Sequence, residues 1–103
     1  MKSDSETGEV SPLHSQTRFQ LGSIVATPGA LKSVSHDEII CSLRRHSQGD
    51  WGELDREDVA ANERALEKGG RLVSAYKTVQ GTKFWIITEA DRSATTILLP
   101  SEY

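Results

Sequence analysis

Residues 71–100 limit what this chain can fold into more than any other segment. Two runs rich in β-branched and aromatic residues, 72–79 and 83–88, are separated by Gln80-Gly81. The polar stretch Glu89-Ala90-Asp91-Arg92-Ser93 then leads to a third run, 94–99. Turn residues between such runs are hairpin signals, so the spacing predicts a three-stranded antiparallel meander. Within 83–88, Phe84, Ile86 and Thr88 alternate with Trp85 and Ile87, and neither face is polar. A strand apolar on both faces sits at a sheet centre, or has one face under helices and the other against a partner.

Upstream of the meander the pattern turns helical. Thr27 can cap a short helix over 28–33, with Pro28 at a position where its missing N–H costs nothing. Ser35-His36-Asp37-Glu38 has the spacing of a capping box. The helix behind it runs to about His46, with Ile39, Ile40 and Leu43 as its apolar stripe. Arg44, Arg45 and His46 fall in its last turn, where positive charge suits the helix dipole. Asp55 then caps a third helix, 56–68, ended by Gly69-Gly70. Its buried stripe is Val59, Asn62 or Glu63, and Leu66, with Ala61 and Ala65 packing closely. Trp51, between Asp50 and Gly52, is too apolar to leave in water and is expected to fold back as a lid. A short strand within 20–26, weakened by Gly22, can extend the sheet.

These elements give an α+β fold: a small antiparallel sheet, the C-terminal meander extended by an N-terminal strand, with two to three helices packed on one face. One domain over 19–103 fits the length. Residues 1–18 are rich in Ser, Thr, Glu and Gln and carry only Val10 and Leu13 as sizeable aliphatics. Such a segment cannot bury enough surface to offset its ordering entropy and is read as a disordered leader.

The charge balance bears on function. The net charge is −3, against the basic surplus of domains that bind nucleic acid through phosphates. Cys41 is the single cysteine, which rules out an internal disulfide and fits a reducing cytoplasm. No apolar run approaches the ~20 residues of a membrane span. A soluble cytoplasmic protein is therefore expected.

Four groups of residues could carry chemistry. His36, Cys41, His46 and Asp50 lie close in sequence, but their spacing does not bring them to one helix face, so no metal and no cofactor is expected. Cys41, beside Ile39 and Ile40, reads as a core or flank thiol. The turn 88–93 is the densest polar constellation. Small metal-independent ribonucleases of the barnase and RelE type share the helix-first layout and use such residues as acid–base and phosphate-stabilising groups. On that alternative the working residues are Arg71, Lys83, Glu89 and Arg92. The simpler reading is a hairpin turn in which Asp91 accepts backbone N–H bonds and Arg92 pairs with Glu89. Finally, residues 50–67 hold seven acidic residues against two arginines. Glu53, Glu57, Asp58 and Glu63 form a self-repelling acidic face suited to a basic partner.

From Phe19 onward the chain resembles a family of short bacterial "plasmid-related" proteins carried on plasmids and integrative elements. The resemblance rests on IVATPGAL (24–31), GDWGELDREDVAANERAL (49–66), RLVSAY (71–76) and WIITEADRSATTILLPSEY (85–103), and covers about four-fifths of the chain. It implies a genomic setting and no residue roles. The function expected is that of a non-catalytic accessory protein of a mobile element, binding a protein or nucleoprotein through the acidic helix or the second sheet face. A homodimer is one way to cover that face.

Overall fold

Each helix begins where a side-chain oxygen takes up an otherwise unpaired amide. In a computed structural model, which describes residues 17–103, Thr27 accepts from Ala30 at the head of α1 (Pro28–Ser33). Ser35 and Glu38 close a reciprocal capping box on α2 (His36–Ser47). Asp55 accepts from Asp58 at the head of α3 (Arg56–Lys68). A short strand, β1 (Ser23–Ala26), precedes them. The meander follows as β2 (Leu72–Lys77), β3 (Lys83–Thr88) and β4 (Ala94–Leu98), and the chain turns through a 3₁₀ segment at Pro100–Glu102.

The fold is α+β, as the sequence predicts, but the sheet is mixed. Its order is β1-β4-β3-β2, with β2, β3 and β4 antiparallel and β1 parallel to β4. The reason is the path of the chain. β1 enters the sheet at one edge, the three helices cross over, and β2 enters at the far edge, so the meander returns to β1 running in the same direction. Leader residues 1–16 lie outside the described residues. Arg18, expected at the leader's end, is tied down: its N–H donates to the Ser47 carbonyl and its guanidinium to Glu63.

One sheet face is the core. Tyr76, Phe84, Ile86 and Ile97 pack there with Ala30, Val34 and Leu43 from α1 and α2. Phe84, Leu72, Ile86 and Ile97 are fully buried, each worth about 1.5–3 kcal/mol. A second cluster joins Phe19, Trp51, Ala65 and Leu72. Trp51 is the expected lid, stacked on Phe19 at 6.1 Å, with its indole N–H donating to Glu63. The α2 stripe is narrower than expected. Leu43 is buried, but Ile40 is 42% exposed, and Cys41 is exposed where a core or flank thiol was expected. The other buried positions of α2 are polar: Ser42, His46 and Ser47. On α3 the buried positions are Asn62 and Ala65, while Glu63 and Ala61 are exposed.

The outer edge of β2 is closed by side chains and loop. Asn62 donates to the Val73 carbonyl at 2.7 Å and accepts from its N–H at 3.1 Å. Ala75 donates to the Trp51 carbonyl and accepts from Glu53 N–H. Gly52, at φ 74°, allows this approach, since a Cβ there would collide with the Ala75 carbonyl. An edge so covered cannot template pairing with another chain.

Candidate binding surface

The meander register sorts the side chains onto two faces. Val73, Ala75 and Lys77 share the second face with Lys83, Trp85 and Ile87, and with Thr96 and Leu98 of β4. Ile87 and Leu98 are buried on it, so this face is covered in part. The 3₁₀ segment folds back against β3, with the Tyr103 ring edge-on to Trp85 at 5.6 Å and its hydroxyl accepting from Arg71. Trp85 remains half-buried. Two hollows flank it. One, of about 310 Å³, lies between α3 and the sheet and is lined by Leu54, Asp58, Ala61, Arg71, Val73 and Trp85. The other, of about 360 Å³, is lined by Glu53, Ala75, Lys83, Trp85 and Pro100. The indole N–H of Trp85 has no acceptor among the described residues and is not a buried atom.

The structure therefore brings together residues that the sequence assigned to two different functions. Arg71 and Asp58 line the first hollow and Lys83 and Glu53 the second. Glu57 is exposed on α3 outside both. The carboxylate of Glu63 is engaged internally. It accepts two bonds from Arg18, at 2.9 and 3.1 Å, and one from Trp51, and these hold it below the usual carboxylate range. Glu53 faces Lys77 at 3.9 Å.

The four residues of the ribonuclease alternative do not converge. Lys83 pairs with Lys77 at one end of the β2–β3 hairpin, whereas Arg71 and Glu89 flank the other end, 4.0 Å apart. Six residues of strand separate the ends, about 17 Å or more. Nor does Arg92 pair with Glu89 through charge. With φ at 62°, it turns its guanidinium onto the carbonyls of Ala65, Gly70, Glu89 and Ala90. It thereby satisfies the C-terminal end of α3 and locks the β3–β4 turn. The hairpin reading is right for Asp91, which accepts from Ser93 N–H at 3.0 Å.

A histidine cluster escaped sequence reasoning. His46 was expected as a charged helix terminus; it is fully buried against the sheet. Its Nδ1 lies 2.5 Å from Ser74 Oγ and its Nε2 2.9 Å from Thr88 Oγ1. The direction of each bond follows from one fixed end. Thr95 Oγ1 must donate to the Leu21 carbonyl, at 2.6 Å. It therefore accepts from Thr88, at 2.7 Å. Thr88, its proton used, accepts from His46 Nε2–H. The Nδ1 lone pair then accepts from Ser74. Burial pushes the His46 pKa down to about 4, so the ring is neutral at pH 7. Ser74, Thr88 and Thr95 are also fully buried, so this chain of hydroxyls fixes α2 on the sheet and meets no solvent.

Among the described residues, no group of three or more His, Cys, Asp and Glu side chains could hold a metal ion. None of their helices is long and apolar enough to cross a membrane. No family model, no curated protein and no solved structure matches this chain.

Proposed function

We propose that the chain is a cytoplasmic, non-catalytic accessory protein of a bacterial mobile element that binds a protein or nucleoprotein partner through its second sheet face. The observation that carries this reading is Trp85, half-buried between two hollows with an unpaired indole N–H. Tryptophan combines a large apolar ring with a polar tip and is enriched at interface centres. The four charged residues around it add a polar rim, the usual anatomy of a binding patch. The resemblance to plasmid-borne proteins supplies the setting, and the free thiol of Cys41 suits a reducing compartment.

Capture from host cells, with the full chain as bait, tests the reading. One partner should be retained by the wild type and lost with Trp85→Ala, while Glu57→Lys, outside the hollows, should leave capture intact. Retention by Trp85→Ala would remove the sheet face from consideration. Degradation of cellular RNA on expression, abolished by Arg71→Ala or Lys83→Ala, would replace binding with catalysis.

A further inference from the structure

We infer that the outer edge of β1 pairs with itself: two copies of this chain join antiparallel through residues 24–26, with Val25 on the two-fold axis. This goes beyond the partner surface at Trp85 and does not depend on it. The backbone of the edge strand carries the inference. Ser23 N–H donates to the Ser93 carbonyl and Thr27 N–H to that of Ile97, in a parallel register that sets Ser23 beside Ala94. Backbone groups of alternate residues face opposite sides of a strand. Ser23, Val25 and Thr27 therefore spend theirs on β4, and Ile24 and Ala26 turn theirs outward. Among the described residues these outward groups have no partner. The far edge of the same sheet is sealed by Asn62 and the Trp51–Gly52 turn. β1 carries none of the devices that protect an edge. No charged residue lies between Arg18 and Lys32, no bulge interrupts the register, and Ile24 and Val25 are 48% and 49% exposed.

Donors and acceptors at this spacing select another extended strand, and a second copy fits them without remainder. With Val25 on the axis, Ile24 of each copy faces Ala26 of the other, and each such pair exchanges both of its N–H···O=C bonds. A large side chain meets a small one on the core side. On the opposite face two β-branched valines meet across a close pair that is not hydrogen-bonded. The ladder ends at the same residues in both copies, because Pro28 has no N–H and Gly22, at φ 67°, has left the strand. Every contact is thus made twice, as a two-fold interface requires. Pairing uses up both open edges and leaves the sealed β2 edges outermost, so assembly closes at the dimer. Val25 aligns with Thr96, on the sheet face of Trp85, so the dimer carries both Trp85 side chains on one side of a continuous sheet. A contact of so few residues falls at the small end of interfaces, and the dimer exchanges readily.

Sedimentation velocity of the full chain, loaded from micromolar to millimolar concentration, reads the assembly directly. The wild type should pass from monomer to dimer and no further. Val25→Lys and Val25→Glu each set like charges against each other across the axis and should weaken association about tenfold or more. An equimolar mixture of the two variants should recover a dimer, a rescue that misfolding could not give. In a Cys41→Ser background, mild oxidation should link Val25→Cys between copies and leave Ser23→Cys, which faces Thr27 of the other copy, largely unlinked. A wild type that stays monomeric at millimolar loading, growth beyond the dimer, or a mixture that does not associate would overturn the inference. Trp85→Ala should dimerise like the wild type. If Trp85→Ala abolishes the dimer and Val25→Lys does not, the second sheet face is the interface between copies and the β1 edge is not.

Discussion

Acid should destabilise this protein well before its carboxylates are titrated, because His46 must fold neutral. Its pKa falls from 6.5 to about 4 on burial. The unfolded chain therefore binds the proton more readily, and stability is complete above about pH 6.5 and declines as the pH falls toward 4. The full difference is about 3 kcal/mol, at about 1.4 kcal/mol per pKa unit. Between about pH 7.5 and about pH 5 the loss is about 2 kcal/mol, a large share of a small domain's stability. The carboxylates of Glu38, Asp50, Glu63, Asp91 and Glu102 are all held below their ordinary values by hydrogen bonds. Their contributions have the same sign but are lost only as the pH falls through about 5 and below, so the His46 effect is separable. Urea unfolding followed by tryptophan fluorescence reads it directly, since Trp51 meets the His46 ring edge-on at 5.7 Å. The midpoint should drop by roughly 1–2 M over that range. His46→Gln keeps a donor and an acceptor and cannot titrate, so its midpoint should be flat across the same range. A flat wild-type profile, or an equal slope in His46→Gln, would refute the buried neutral ring.

Three further outcomes follow from particular contacts. Asn62→Ala leaves the Val73 N–H and carbonyl unpaired at the sheet edge, which should cost about 1–3 kcal/mol and raise light scattering as the edge opens; an unchanged melting curve would show that water replaces the amide. Arg92→Ala removes four bonds to carbonyls and should cost about 2 kcal/mol, with thermal melting as the readout. The same substitution should leave Trp85-dependent partner capture unchanged, and a loss of capture by a folded variant would give Arg92 a role outside structure. In Gly29→Ala the new methyl would lie 2.6 Å from the Glu102 carboxylate, which accepts from Thr27 Oγ1, Gly29 N–H and Leu99 N–H. The substitution should lower the melting temperature in the wild type and by clearly less in a Glu102→Ala background; equal losses would place its cost elsewhere.

What could be read from the sequence was local. The caps at Thr27, Ser35 and Asp55 satisfy amides three residues away, and the meander's turns are equally short-range, so all four were legible. The misses are long-range. His46 looked like a helix end because its partners, Ser74 and Thr88, lie 28 and 42 residues on. Nothing in the α2 pattern distinguishes a charged terminal histidine from one aimed at a sheet. The same distance hid the pairing of Arg18 with Glu63, 45 residues apart, and so the acid expected for a partner is held within the fold. Ile40 was assigned to the core by its hydrophobicity, but the buried face of α2 runs through Ile39, Ser42, Leu43 and His46 and leaves Ile40 outside. The parallel entry of β1 depends on where the crossover returns, which no residue of β1 specifies. For the candidate surface, the alternation of Trp85 with Phe84 and Ile86 showed two apolar faces. Only the register reveals which residues share the face of Trp85.

The strings that make this chain distinctive divide into residues that hold the fold and residues that do not. Thr27, Gly29 and Glu102 tie the 3₁₀ segment to the head of α1. Asp50 receives Arg45, and its carbonyl receives the Tyr76 hydroxyl, whose pKa burial raises to about 12. Asn62 and the Trp51–Gly52 turn seal an edge, and Arg92 closes two carbonyl-rich ends at once. Each of these polar groups already has its complement inside the molecule, so substituting it tests stability first. Trp85 and Lys83 differ in that, among the described residues, neither side chain makes a hydrogen bond or ion pair that holds an element in place, so substituting them tests binding before stability.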